Sequence, residues 1–236
     1  MNDLEKLKAY IDNANSIVFL TGAGVSTDSG IPDYRSKEGL YSDNPEFILS
    51  RAYRDENYEG FMHFLRQNFI FEDKEPNDIH KWIASLQKEK HIAIITQNVD
   101  TLHEQAGSDC VVHYHGDARK VTCKNCHKEF PFSHIKQNTY CECGGEFETD
   151  IVLYGDYISF DAWKEAYNYL HITDLIIVIG TSLSVYPFAN LIMESANLMD
   201  IELKIALINK TDVNEDIKMF DIKLIGDGKE IIEKLK

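Results

Sequence analysis

Short apolar runs alternating with helical stretches limit the folds open to this chain more than any other feature. Ser16–Leu20, Ile92–Thr96, Val111–Tyr114, Asp174–Ile179, Lys204–Ile208 and Ile222–Ile225 read as buried strands, because each is too short for a helix and rich in β-branched residues. Helical patterning fills most of the intervals, over 3–14, 45–64, 76–90, 160–171, 187–199 and 227–235. In the first of these, Leu4, Leu7, Ala9, Tyr10 and Ile11 recur near helical spacing, and Asn13 and Asn15 punctuate the end. Parallel neighbours need helical crossovers, so the alternation predicts a doubly wound α/β domain whose parallel sheet is covered on both faces.

Two stretches break the alternation. Residues 34–75 are rich in charge and aromatics, and residues 120–150 are rich in Cys, Lys and turn formers. Both read as insertions that make a smaller lobe, leaving 1–33, 76–119 and 151–236 to the large domain. A chain of 236 residues with 44% hydrophobic content can bury a full core. The N-terminus carries charges where a secretory apolar region would lie, and the longest apolar run, Leu175 to Ile179, is far too short to span a bilayer. A soluble cytoplasmic protein is expected. The net charge of −15 disfavours nucleic-acid phosphates and anionic lipid and favours basic partners such as lysine-rich peptides.

Chemistry collects at the predicted strand ends. After Ser16–Leu20 comes Gly22-Ala23-Gly24-Val25-Ser26, where backbone amides can approach a pyrophosphate with no Cβ in the way. Read alone, this turn serves equally well as an ordinary strand-to-helix connection. Its continuation, Ile31-Pro32-Asp33-Tyr34-Arg35, is a proline-stiffened segment with an acid and an arginine, which suits a loop that covers a cofactor. Gln97, Asn98 and Asp100 follow the strand Ile92–Thr96. Asn98 and Asp100 can present an amide and a carboxylate to a polar ring such as nicotinamide, or Asp100 can simply cap the next helix. Gly180, Thr181 and Ser182 follow another strand, and Asn209 ends a further one.

His113 and His115 stand two apart near the end of Val111–Tyr114 and are rivals for a general base. His115 precedes Gly116, which favours exposure to a ligand; His113 reads as a core or surface residue. Of five cysteines, Cys123, Cys126, Cys141 and Cys143 form two close pairs, while Cys110 stands apart. Such pairs suggest metal before disulfide in a chain without an export signal. Four sulfurs suit a closed tetrahedral zinc site, structural because no position is left for water.

In order and spacing, GAGVSTDSGIPDYR over 22–35, TQNVD over 96–100, His115-Gly116, the paired cysteines and GTSLSVYP over 180–187 resemble the sirtuin family. The resemblance spans nearly the whole chain and implies a compact NAD-dependent protein deacylase of prokaryotic type. It implies a Rossmann-like large domain, a cofactor loop and helical module over 34–75, and a zinc-binding module over 120–150. NAD would lie between the lobes. Gly22, Ala23, Gly24, Asp33, Tyr34 and Arg35 would hold its phosphates and nicotinamide-side ribose, and the stretch from Ser26 to Arg35 would close over it. Asn98 and Asp100 would fix the nicotinamide ribose and carboxamide, and Gln97 a ribose hydroxyl. Gly180, Thr181, Ser182, Asn209 and Gly228 would take the adenosine half. His115 would remove a proton from a ribose hydroxyl, so that the acyl group passes to ADP-ribose and nicotinamide is released. Val152, Tyr154, Gly155 and Asp156 would bind the acyl-lysine peptide.

One stretch departs from the family pattern. Where the family carries Arg-Pro-Asp and Phe-Gly-Glu, this chain has Glu148-Thr149-Asp150 and Tyr154-Gly155-Asp156. These changes bear on substrate choice rather than on the chemistry. No Tyr-x-x-Arg occurs near Phe61–Gln67, so uncharged acyl groups, acetyl first, are expected. Two other readings stay open on the sequence: an ADP-ribosyltransferase or NAD glycohydrolase on the same fold, and a non-enzymatic NAD sensor.

Overall fold

A computed structural model describes residues 1–33, 45–198, 203–213 and 219–236. The chain opens with α1 (Asp3–Asn13), where Asn2 and Glu5 form a reciprocal capping box, and continues into β1 (Ser16–Thr21). After the glycine segment come α2 (Pro45–Ile48), α3 (Arg51–Glu56), α4 (Tyr58–Asn68) and α5 (Asp78–Leu86). Then follow β2 (His91–Thr96), α6 (Leu102–Gln105) and β3 (Val111–His113). The cysteine-rich region supplies β4 (Lys120–Cys123), β5 (Glu129–Pro131) and β6 (Phe147–Thr149). The chain ends with α7 (Phe160–Leu170), β7 (Leu175–Ile179), α8 (Asn190–Leu198), β8 (Lys204–Asn209), β9 (Ile222–Ile225) and α9 (Gly228–Leu235).

The main sheet has 6 strands in the order β3-β2-β1-β7-β8-β9, and every pairing in it is parallel. Along β1, Ile17 and Phe19 enter one core with Leu7, Trp82, Ile83 and Ile232. Val18 and Leu20 enter the other, with Ala166, Leu170, Leu191 and Ile192. The period of two thus sends alternate residues to opposite faces, and each face is covered by helices. This is the doubly wound arrangement that the alternation predicts.

The second sheet, β5-β4-β6, is antiparallel. It shares a core with the helices that follow the glycine segment: Phe61, Met62, Leu65 and Phe69 pack with Val121, Phe132, Ile135 and Phe147. The structure corrects one expected element. The helical patterning over 45–64 is not one helix, because two cap residues interrupt it. Ser50 accepts from the Tyr53 N–H to start α3, and Asn57, at φ −140°, accepts from the Gly60 N–H to start α4. The helix α6, one turn long, follows Asp100 where the capping reading of that residue expects a helix.

Candidate active site

Strand order reverses between β1 and β7, and ligands of open parallel sheets gather beyond the carboxyl ends at such a point. A cleft of about 820 Å³ lies there. Ala23, Gly24 and Asp33 line it from the glycine segment, Gln97 and Asn98 from beyond β2, and His115 from beyond β3. Gly180, Thr181 and Ser182 follow β7, Asn209 ends β8, and Gly228 opens α9; all face the same cleft. Val152, Tyr154, Gly155 and Asp156 form the wall on the small-lobe side. Gly22 is not among the lining residues, and Ser26 and Asp100 line a small adjoining pocket with Asn98. Tyr34 and Arg35 lie outside the described residues.

The glycines allow the two loops to touch. A Cβ on Gly24 would come within 2.8 Å of the Gly180 backbone, and one on Gly180 within 2.5 Å of the Val25 nitrogen. The Gly24 N–H donates to the Gly180 carbonyl at 2.8 Å. Gly22 has a packing role, since its bare Cα sits where a Cβ would meet the Thr181 side chain at 2.7 Å. Beside this contact, Thr181 Oγ1 donates to Gln97 Oε1 at 2.7 Å and Asn209 Nδ2 donates to the Thr181 carbonyl at 3.2 Å. The edge is therefore tied across its width, and it leaves a backbone-lined trough that fits a pyrophosphate and its sugars.

Ser26 organises the buried end. Its hydroxyl donates to Asp100 Oδ2 at 3.0 Å and accepts from Asn98 Nδ2 at 3.1 Å. Asp100 Oδ1 accepts from the Leu102 N–H at 3.1 Å, so the same carboxylate both caps α6 and joins the polar triad. Burial raises the Asp100 carboxyl above its ordinary range, and the bonds from Leu102 and Ser26 recover part of that. Behind Ser26, burial lowers His80 to about 4 and takes His103 well below its ordinary value, so both rings are neutral near pH 7.

Of the rival pair, His113 stays on the strand, paired with Thr96, and His115 leaves it. Because β3 ends at His113, His115 sits in the following turn, against Phe188 at 6.0 Å between ring centroids. Burial lowers its ring to about 4, with the Gln97 carbonyl opposing. A neutral imidazole at physiological pH can accept a proton. Gly116 makes the turn possible: it has φ +72°, and a Cβ there would lie 1.8 Å from the Asp150 carbonyl oxygen. His113 turns to the other side, to Glu104 and the Asn98 carbonyl.

The small-lobe wall is anchored at both ends. The Val152 N–H donates to the His115 carbonyl at 2.9 Å, while Tyr154 exchanges backbone bonds with Leu49 and Arg51 at 2.8 and 2.9 Å. Arg51 grips Asp156 with two bonds of 2.9 Å and reaches Glu148 at 2.7 Å. Asp156 in turn accepts from the Leu153 N–H at 3.0 Å. The two acids that depart from the family pattern thus share one arginine.

The ligand sulfurs of Cys123, Cys126, Cys141 and Cys143 all lie within 4.8 Å of one another. Cys123 and Cys143 approach to 3.4 Å, and Cys126 and Cys141 to 3.7 Å. A tetrahedral zinc ion with Zn–S near 2.3 Å sets sulfurs roughly 3.8 Å apart, so this donor set fits zinc. The tight second knuckle is accommodated by Gly144 at φ +80° and by Gly145, where a Cβ would strike Cys123 Sγ at 2.6 Å. Backbone N–H groups of Cys126 and Asn125 help lower the Cys123 thiol to about 6, against burial. His127 needs no ligand role.

Several lining residues escaped the sequence reading: Lys210, Thr211, Asp227 and Lys229. Asp227 carried a usable signal, an N-cap residue between a strand and a helix, and its side chain does accept from the Glu230 N–H. Lys210 and Thr211 are in the cleft only because β8 ends there.

Comparison with known proteins points one way. The profile of the Sir2 family matches residues 22–187. An NAD-dependent protein deacetylase of Staphylococcus aureus strain Mu50 is 42% identical over 201 residues, covering 81% of this chain and 83% of the relative. A solved complex of Sir2 with a p53 peptide and NAD+ is similar with a TM-score of 0.87 at 28% identity, covering 100% of this chain and 97% of that one. Another, of Sir2 with a deacetylated p53 peptide and 3'-O-acetyl ADP ribose, has a TM-score of 0.88 at 27% identity, covering 98% and 96%.

Proposed function

Since this chain belongs to the Sir2 family, we propose that its cleft removes acyl groups from lysine side chains of protein substrates in an NAD-dependent reaction, with acetyl the preferred group. When bound, NAD supplies the ribose that receives the acyl group, with release of nicotinamide and formation of O-acyl-ADP-ribose. The observation that carries the reading is a neutral imidazole, His115, in one cleft with both the glycine trough and the 152–156 wall. His115 accepts the proton of a ribose hydroxyl at a ring nitrogen. Gly24, Ala23, Gly180, Thr181, Ser182, Asn209 and Gly228 hold the phosphates and the adenosine half, assisted by Asp33. Asn98 and Asp100, braced by Ser26, orient the nicotinamide side, and Gln97 takes a sugar hydroxyl. The ion on the four cysteines has a structural role.

Val152, Tyr154, Gly155 and Asp156 take the peptide. Around them the cleft is lined by Leu49, Phe69, Val99, Ile151, Leu153 and Ile158, an apolar surround that favours an uncharged acyl group because a carboxylate there would lose its water. No helix among the described residues is long and apolar enough to cross a membrane, and our reading of the compartment is the cytoplasm. General-base assistance contributes about 10²–10⁴-fold. His115→Ala is therefore expected to lose deacylation by that order while retaining NAD binding, followed by mass spectrometry of O-acyl-ADP-ribose and by calorimetry. A normal rate in that variant, or nicotinamide release that ignores the acyl-peptide, would overturn the assignment.

A further inference from the structure

We infer that His113 is a positioning residue for the reaction: a doubly protonated imidazole that holds the Asn98 carbonyl and so fixes the Asn98 side chain in the cleft. The inference rests on the proposed role of Asn98 toward NAD.

His113 Nδ1 lies 3.1 Å from the Asn98 carbonyl oxygen, and Nε2 lies 2.7 Å from Glu104 Oε1. A backbone carbonyl can only accept, and so can an ionised carboxylate. Glu104 Oε1 is an acceptor here, since it also receives Arg119 Nη2, and, against burial, the ring and that guanidinium hold the carboxyl below its ordinary value. Both ring nitrogens must then carry hydrogen, which makes the ring an imidazolium. A neutral ring would aim one lone pair at an oxygen. The His113 side chain is only 8% exposed, so water cannot replace the missing bond cheaply.

The surrounding charges agree with this state. Burial depresses the His113 ring, but the bond and charge of Glu104 and the Asn98 carbonyl outweigh it and leave the ring above its ordinary value. Burial likewise pushes Glu104 up, and His113 and Arg119 outweigh it. The other groups facing this pair are Asp100 and His103 on the neighbouring loop and helix, and Asp117, which pairs with Arg119. His103 is neutral, so the local balance is two cations against the acids.

Asn98 is the point where this network meets the cleft. Its N–H donates to Thr96 Oγ1 at 3.0 Å, its side-chain amide donates to Ser26, and its carbonyl is held by His113. When the ring loses a proton, the one that remains stays on Nε2 against the Glu104 carboxylate, the stronger and closer acceptor, so Nδ1 no longer donates to the Asn98 carbonyl and this restraint is lost. Charge-assisted hydrogen bonds of this kind correspond to roughly tenfold effects.

The test is the NAD dependence of deacylation at saturating acyl-peptide from pH 6 to pH 10. The parent is expected to lose about tenfold in kcat/KM for NAD on the alkaline side. His113→Gln is expected to show about that loss already at pH 7, in the KM for NAD and not in the KM for peptide, with the alkaline decline gone. Survival of the decline in His113→Gln, or equal loss in both KM values, overturns the inference. Nitrogen NMR of the histidine rings in the intact parent decides the protonation state even if the variant fails to fold. Two protonated ring nitrogens at pH 7 support the inference, and a neutral ring overturns it. Asn98→Ala separates the two levels: unchanged NAD affinity there sinks the reading of Asn98 itself, whereas a neutral His113 ring beside a defective Asn98→Ala sinks only the present inference.

Discussion

Single residues set the tolerances of the site. Gly116 is the sharpest case, because its left-handed backbone turns the chain between His115 and the small-lobe wall and leaves no room for a side chain. Gly116→Ala is expected to destabilise the protein by more than the about 1–2 kcal/mol that the backbone conformation alone costs, since the Asp150 carbonyl must also retreat. Urea denaturation measures the loss, and the deacylation rate should fall with it because the displaced turn carries His115. A variant as stable and active as the parent would show that the Asp150 segment yields freely. The residue scale also explains the different fates of the two histidines. One residue of strand pairing separates them: His113 is paired to Thr96 in the sheet, whereas His115 has left the strand. Nothing in the spacing of two histidines announces where a strand will stop.

Among the elements, the segment 152–156 has the most to reveal. It is joined to the His115 carbonyl at one end and to Leu49 and Arg51 at the other, where the Arg51 side chain also holds Asp156. Arg51 leads α3, begins just after Ser50, and would have been lost inside a helix running unbroken from 45 to 64. The break at Ser50 lets the backbone of 49–51 pair with Tyr154 instead of with its own helix. Arg51→Ala is expected to raise the KM for the acyl-peptide roughly fivefold, the equivalent of about 1 kcal/mol for a charged contact partly open to water. The KM for NAD should not change. Steady-state kinetics with each substrate varied in turn would check this, and an effect confined to NAD would refute it. Glu148, the acid where the family carries arginine, accepts from Arg51 and also pairs with Arg54 and Lys124. The departure from the pattern is thus matched by cations from other elements.

At the scale of the molecule, the metal centre and the wall of the cleft depend on one another through a shared core. Cys123 and Cys141 are buried in the same cluster as Phe61, Met62, Ile151 and Leu153, so loosening the knuckles loosens residues next to the peptide wall. Structural zinc in small modules contributes on the order of 10 kcal/mol to folding. Removal of the ion by a strong chelator is expected to abolish deacylation and lower the thermal midpoint while the helical and sheet circular dichroism of the large domain largely persists. Full activity after metal analysis shows the zinc gone would count against that coupling. The main sheet has no such dependence, because its cores are closed by its own helices.

How much of this was legible beforehand follows from where the information resides. The parallel sheet could be read from the sequence because runs such as Leu175–Ile179 are apolar on both faces, and local periodicity is a property of neighbouring residues. The cysteine pairs were legible for the same reason, as were the glycine and Asn98–Asp100 segments, whose place beyond a strand end follows from order along the chain. What only the folded chain decided was contact between separate elements: that Glu104 of α6 meets His113 of β3, that Arg51 clasps Asp156 across 105 positions, that Gly116 lies under Asp150, and that Lys210 and Asp227 border the cleft. Each of these depends on which strands become neighbours and where each one stops, and that is settled by the burial of whole faces against one another rather than by any local pattern.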